Sequence, residues 1–252
     1  MKKTLFLTAM AALLTAACGT RQQPVEGTAD SQAISMHQNA PGDSALYGLA
    51  CDGCTDSILV VLPYSGGDPD TFDISGARAR QRIFGRPHIG DELAVILNPA
   101  DKSEALMVIN TKELTGDWCY IVSPTLRNPD QLPPRKLQQL LAAMPDSVRQ
   151  ELMKPLEYTI RLKADNTAMA FGSPRKHTTT DEISPVEYPS LHRYTDWQLT
   201  NGHLVLKADT IGGFNEEGAV PHSDTATIKV LMRDTLVLQF PDHEQGYYKK
   251  QQ

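Results

Sequence analysis

The cysteines are the residues whose type and spacing best fit chemistry in this chain. Cys51 and Cys54 form a Cys-x-x-Cys pair, an arrangement used in disulfides, metal sites and thiol redox centres. A redox centre needs the pair at the start of a helix, where the dipole lowers one thiol pKa, but the β-type run 58–62 follows here. A metal site needs further soft ligands, and the spacing of Cys119 from Cys51 and Cys54 is not typical of a metal site. We predict a structural or stress-sensitive disulfide, with a metal site and redox catalysis as the alternatives.

No other motif predicts catalysis. His222-Ser223-Asp224 places hydrolase-type residues side by side, but neighbours in an extended segment point to opposite faces and do not form a triad by themselves. The chain lacks a Gly-x-Ser-x-Gly elbow, and its seven histidines are scattered without a metal-ligand pattern. We therefore predict a protein that is not an enzyme, with no catalytic residue, no resident metal and no cofactor.

The beginning of the chain predicts export and a lipid anchor. Lys2 and Lys3 precede an uncharged run, Leu5–Ala17, that stops at Cys18. A basic start, a short apolar stretch and small residues before the cut are typical of a secretory signal peptide, and the run is too short for a membrane-spanning helix. Residues 1–17 are therefore predicted to be removed. Cys18 is the predicted lipid attachment site, and ordinary cleavage with a free Cys18 is the alternative.

Composition limits the partners of the exported chain. Residues 18–44 are rich in Gln, Thr, Ala, Ser and Gly, which cannot bury enough apolar surface to offset the entropy of ordering, so they are predicted to be a flexible tether. The formal net charge is −6, and removal of the signal peptide makes it more negative. Because an acidic chain is repelled by phosphate backbones, nucleic acid is not an expected partner.

The rest of the chain reads as mainly β. Residues 45–112 contain short β-forming runs separated by turn clusters such as Asn98–Asp101, which predicts a small barrel or sandwich of about five strands. Residues 113–250 contain eight strand candidates in sequence order. The Asn201-Gly202 pair between two of them is a strong hairpin signal. Eight antiparallel strands can close into a barrel, and a short helical insert is predicted within 126–155.

Several motifs carry a family resemblance. Leu114-Thr115-Gly116-Asp117-Trp118, Asp196-Trp197-Gln198-Leu199-Thr200-Asn201-Gly202 and Ile211-Gly212-Gly213 resemble the lipocalin-like lipoproteins common in Bacteroides-type bacteria. The resemblance implies an eight-stranded barrel able to hold one small ligand. Four aromatic residues are the ligand-lining candidates for the interior of that barrel, with core packing as the alternative: Trp118, Tyr158, Phe171 and Trp197. The segment Leu49–Cys54 also resembles the start of NlpE-type envelope lipoproteins.

These observations lead to three functional hypotheses. The first is a non-enzymatic lipoprotein that binds a small apolar ligand or an envelope partner. The second is an envelope-stress or metal-handling lipoprotein that acts through Cys51 and Cys54. The third is a structural or scaffolding protein with filled barrels. The expected location is the periplasmic face of the outer membrane, held by the N-terminal lipid, with the cell surface left open.

Overall fold

The computed structural model describes residues 39–126, 153–172, 186–189, 191–208 and 222–250, together with isolated residues between 135 and 150. The described chain is mainly β and forms two large sheets. No helix within these residues has the length and apolarity needed to cross a membrane. The predicted signal peptide, Cys18 and most of the tether lie outside the described residues.

The first sheet is mixed and has six strands in the order β3-β2-β1-β5-β6-β4. Among the ladders that pair its named strands, only the one between β4 and β6 is parallel. The elements of this part of the chain are β1 (Leu46–Ala50), β2 (Ile58–Pro63), β3 (Asp70–Asp73), α1 (Ser75–Ala79), β4 (Ile83–Phe84), β5 (Glu92–Leu97), β6 (Ala105–Asn110) and α2 (Thr111–Leu114).

The first sheet curls back on itself. A parallel bridge joins Asp73 to Glu104, where the N–H of Asp73 donates to the carbonyl of Ser103 at 2.8 Å. Five of the six strands therefore form a ring, as expected for a small barrel. A separate apolar core fills it, made of Ala50, Leu59, Val61, Phe72, Ile74, Leu93, Val95, Ala105 and Val108.

The second sheet is an eight-stranded antiparallel barrel that is nearly closed. Its order is β10-β9-β7-β16-β15-β14-β13-β12, which confirms the predicted eight-stranded antiparallel barrel. Its strands are β7 (Gly116–Val122), β9 (Leu156–Leu162), β10 (Ala168–Phe171), β12 (Tyr194–Thr200), β13 (His203–Ala208), β14 (His222–Leu231), β15 (Thr235–Gln239) and β16 (Glu244–Lys249). A bridge between Thr167 and Asp196 joins the two outermost strands.

The connections at one end of the barrel are all short, whereas the other end carries three long connections and the short turn 240–243. The short turns 163–167, 201–202 and 232–234 lie at what we call the sealed end. The longer connections lie at the open end, where β8 (Thr125–Leu126) pairs with β11 (Val186–Glu187). The predicted helical insert falls largely outside the described residues, although most of the isolated ones, such as Arg135 and Ala142, are helical.

The first sheet covers the sealed end of the barrel. Phe84, Met107 and Leu114 belong to the same apolar core as the inward side chains of the barrel. Polar contacts add to this packing, because the N–H of Gly85 donates to the carbonyl of Leu231 at 3.0 Å, and the N–H of Ser44 donates to Oδ1 of Asn201 at 3.0 Å. A division of the chain near residue 112 stays a prediction.

Candidate functional site

A polar group of side chains lies on the inner wall of the barrel at its open end. We call it the mouth cluster, and it consists of His192, Tyr194, His222 and Asp224. β14 supplies two of its members because residues two apart in a strand point to the same face. Ala226 continues that face and is buried. Tyr194 begins β12, and His192 precedes it by two residues.

The Asp224 carboxylate is the centre of the mouth cluster. Its Oδ2 accepts hydrogen bonds from Nδ1 of His192 at 2.8 Å and from the hydroxyl of Tyr194 at 2.7 Å. Its Oδ1 lies 2.6 Å from Nε2 of His222. The two imidazole rings meet edge to face, with their centroids 4.8 Å apart. The cluster is therefore an ordered network.

Burial and hydrogen bonding act against each other on the Asp224 carboxyl. Burial by itself raises its pKa, but the hydrogen bonds from Tyr194, His192 and His222 outweigh burial and hold the pKa below its usual range. The pKa of the Tyr194 hydroxyl is raised, first by burial and then by its hydrogen bond to Asp224. At neutral pH the cluster thus contains a carboxylate that accepts and a protonated phenol that donates.

Three further tyrosines line the wall beside the cluster. The ring of Tyr120 meets Tyr158 edge to face at a centroid distance of 5.7 Å and Tyr247 at 5.1 Å. Burial is the main reason that the pKa of Tyr120 rises to about 12. Such rings combine apolar area with a polar tip, so this part of the wall can contact both apolar and hydrogen-bonding groups.

Three of the four aromatic residues predicted to line the interior do point inward. Trp118, Tyr158 and Trp197 are buried. The indole N–H of Trp118 donates to the carbonyl of Leu114 at 2.7 Å, and that of Trp197 donates to the carbonyl of Lys163 at 2.8 Å. The two tryptophans help to fill the barrel toward the sealed end, together with Ile160, Leu162, Leu199, Leu204, Leu206, Ile228, Leu236 and Leu238.

Phe171 lies on the outer face of the barrel, and its predicted inward position is wrong. It pairs in register with Thr159, whereas its neighbour Ala170 pairs with the inward residue Ile160. Its side chain is 40% exposed, and the guanidinium of Arg161 lies 5.3 Å from its ring centroid. The sequence run Ala168–Phe171 contains no polar residue, so hydrophobicity alone did not reveal which face each side chain occupies.

The thiols are separate from the mouth cluster. Cys51 and Cys54 are free in the structure and lie in the connection between β1 and β2 of the first sheet. The N–H of Val60 donates to the sulfur of Cys54 at 3.3 Å. Their disulfide stays a prediction. Cys119 is buried on the outer face of β7, with its sulfur 3.2 Å from the hydroxyl of Thr159.

A cavity of about 110 Å³ lies at the sealed end, between the first sheet and the barrel. Tyr47, Asn166 and Trp197 contribute to its lining. The hydroxyl of Tyr47 donates to Oδ2 of Asp43 at 2.7 Å. This space belongs to the contact between the two sheets, at the opposite end of the barrel from the mouth cluster.

The mouth cluster was missed from the sequence, although one signal for it was present. His222, Ser223 and Asp224 are adjacent and alternate between the two faces of the strand, because Ser223 is exposed while its two neighbours are half-buried. The i, i+2 spacing of His222 and Asp224 on one strand face was the useful signal. His192 and Tyr194 come from a distant part of the sequence and join them only through the barrel.

A family model described as lipocalin-like matches residues 182–251. The barrel is lipocalin-like. All four residues of the mouth cluster fall inside the matched region, as do five of the eight barrel strands. No curated protein and no solved structure matches the chain.

Proposed function

We propose that this protein is a lipid-anchored envelope lipoprotein that binds a small ligand at the open end of its lipocalin-like barrel. One observation carries the proposal: the barrel is covered by the first sheet at one end and presents aromatic and polar side chains on its inner wall at the other. In barrels of this strand number the interior holds side chains or one small ligand. Here side chains fill the barrel near the sealed end, and the ligand occupies the open end.

The packing of the barrel limits the depth of the ligand. Side chains such as Trp118, Leu204 and Leu236 are almost fully buried and occupy the part nearest the sealed end. The ligand therefore sits in the mouth, with its apolar part against Tyr120 and Tyr247. The mouth cluster then contacts its polar part.

The arrangement of the imidazoles supports binding without catalysis. His192 and His222 both contact Asp224, and within the described residues neither imidazole is hydrogen-bonded to a serine or cysteine side chain. Nucleophilic catalysis by such residues needs a hydroxyl or thiol within hydrogen-bond reach of the base. We therefore propose that the cluster holds a ligand and leaves it unchanged.

Two adjacent residues of β10 allow a matched test of ligand binding. Ala170 points into the barrel near the open end, and Met169 points outward with 46% exposure. Native mass spectrometry of the full chain, purified from membranes in a mild detergent, should show a bound small molecule. Ala170→Trp, which fills the mouth, should remove that molecule, and Met169→Trp should keep it. A wild-type chain that carries no small molecule, or equal occupancy in the two variants, would contradict the proposal.

The lipid anchor is tested separately. Cys18→Ser should move the chain from the membrane fraction to the soluble periplasmic fraction, because each buried CH₂ of an acyl chain contributes about 0.8 kcal/mol to anchoring. Retention of the Cys18→Ser chain in the membrane fraction would contradict anchoring through this residue.

A binding surface for an envelope protein is the second candidate function. Four apolar or aromatic side chains between 40% and 58% exposed lie on the outer face of the consecutive strands β16, β7, β9 and β10, of which β9 contributes none: Ile121, Met169, Phe171 and Tyr248. Exposed apolar side chains grouped on one face mark many interaction sites. Ile121→Ser should abolish chemical crosslinking to that partner, and Lys229→Ser, on the outer face of β14, should not.

A further inference from the structure

We propose that His192, His222 and Asp224 form a binding site for a divalent transition-metal ion, with zinc as the reference ion. This site goes beyond the proposed ligand-binding function and does not depend on an organic ligand at the barrel mouth. It is also distinct from the metal site that Cys51 and Cys54 would form, because those cysteines lie in a connection of the first sheet, which covers the opposite end of the barrel.

The donor set fits such an ion. Each of the three residues offers one ligand atom, and these atoms all lie within 4.8 Å of one another. Two imidazole nitrogens and one carboxylate oxygen are a common set for zinc and for non-haem iron, with the remaining positions open to water or a ligand. Zinc bonds of about 2.0–2.2 Å place tetrahedral ligand atoms roughly 3.4 Å apart. The contact of the ligating Asp224 oxygen, 2.6 Å for Oδ1 with His222 or 2.8 Å for Oδ2 with His192, would therefore open by less than about 1 Å. Since all ligand atoms lie within 4.8 Å of one another, no pair would have to close by more than about 1.4 Å.

The site is accessible to an ion from solvent, and a neighbouring hydrogen bond orients its carboxylate. The side chains of His192, His222 and Asp224 are 39%, 31% and 21% exposed, so an ion can enter without unfolding of the wall. Tyr194 donates to Oδ2 of Asp224 at 2.7 Å and fixes the orientation of the carboxylate. Hydrogen bonds to ligating groups of this kind are a regular feature of protein metal sites.

The surroundings favour a ligand-binding role for this polar group over a purely structural one. The positions that follow on the inner face of β14, Ala226 and Ile228, are apolar and buried. A carboxylate on such a wall costs desolvation free energy, and an apolar side chain would complete the wall without that cost. A bound cation compensates the negative charge of Asp224 directly.

The first experiment is a calorimetric titration of the full chain with Zn²⁺ after treatment with a chelator. We expect one ion per chain at the mouth cluster. His222→Gln and Asp224→Asn should each weaken zinc binding by more than tenfold, since even the loss of an outer-shell partner costs 10- to 100-fold. His203→Gln is the matched control because His203 is an exposed histidine on the outer face of β13, bonded to Thr227, and it should bind zinc as the wild type does.

Two further variants separate the metal site from its alternatives. Tyr194→Phe keeps all three ligands and removes the hydrogen bond to Asp224, so its zinc affinity should fall by about tenfold. The double variant Cys51→Ser, Cys54→Ser should leave zinc binding at the mouth unchanged. The absorption spectrum of the Co²⁺-loaded chain should show d–d bands without thiolate charge transfer, since the ligands are nitrogen and oxygen.

Circular dichroism identifies any variant that fails to fold, and a folded His192→Gln chain replaces a His222→Gln chain that does not fold. Two results would overturn the site. One is wild-type protein that binds no zinc at micromolar concentrations. The other is zinc binding that the cysteine variant abolishes and the histidine variants leave intact. Neither result bears on whether Ala170→Trp displaces a small molecule from the mouth.

Discussion

Substitution of Gly202 by alanine should destabilise the protein more than the same substitution at Gly90. The two glycines have almost the same backbone, with φ of +82° and +81°. They differ in their surroundings. A Cβ at Gly202 would lie 2.6 Å from Sδ of Met107 in the first sheet, whereas a Cβ at Gly90 would meet nothing within 4 Å. Comparison of the two substitutions therefore separates the cost of backbone strain from the cost of disturbing the contact between the barrel and the first sheet.

The expected losses of stability follow from the cost of backbone strain and the cost of overpacking. A left-handed conformation costs an L-residue roughly 1–2 kcal/mol, and this cost applies to both variants. Overpacking of a filled core adds about 1–3 kcal/mol, and this cost applies to Gly202→Ala only, because Met107 is 5% exposed. Gly90→Ala should thus lower the free energy of unfolding by roughly 1–2 kcal/mol and Gly202→Ala by roughly 2–5 kcal/mol.

Urea unfolding followed by tryptophan fluorescence measures both changes. Trp118 and Trp197 are buried in the barrel and report its unfolding. A third variant, Gly202→Ala with Met107→Ala, removes the clash, so the combined loss should be smaller than the sum of the two single losses. Equal destabilisation at Gly90 and Gly202, together with additivity in the double variant, would refute the inferred packing of the first sheet on the turn at Asn201.

Three further predictions concern other parts of the molecule. Two hydrogen bonds from Arg161, at 2.6 and 2.7 Å, lower the pKa of Asp117. Its stabilising effect is thus complete above its unfolded pKa of about 4 and is lost as the pH falls through the lower folded pKa. The stability difference between wild type and Asp117→Asn should therefore shrink below about pH 4, and a constant difference in urea titrations down to pH 2.5 would count against the pair. Trp118→Phe should cost about 2–3 kcal/mol, from lost volume and from an unpaired buried carbonyl, which thermal unfolding measures; a loss within experimental error would show that the wall relaxes around the smaller ring. Chain purified from membranes in a mild detergent should carry Cys51 and Cys54 as a disulfide, seen as a mass lower by two hydrogens than that of the reduced chain, and an unchanged mass would leave both thiols free for other roles.

Strand alternation and turn chemistry made most of the barrel predictable. The runs around Asn201-Gly202 alternate clearly, and the turn has positive φ at both residues, as a type I′ hairpin requires. Ala168–Phe171 lacks alternation, and there the facing of Phe171 was predicted wrongly. Local pattern determines a strand more firmly than it determines the side of the strand that faces the core.

The contact between the two sheets was not predictable from local pattern. Met107 and Phe84 belong to strands of the first sheet, yet they pack against the barrel. The mouth cluster escaped prediction for the same reason. His192 and Asp224 are separated by 32 positions, and only the closure of the wall brings them together.

Both ends of the described chain emerge beside the sealed end of the barrel. The N-terminal side passes Ser44, which is bonded to Asn201, and the last strand finishes at Lys249, whose Nζ donates to the carbonyl of Glu113 at 2.8 Å. A fluorophore, an affinity handle or a solid support attached at either end of the described residues would therefore leave the opposite pole unobstructed. Molecules immobilised there would present the mouth toward the surrounding solution.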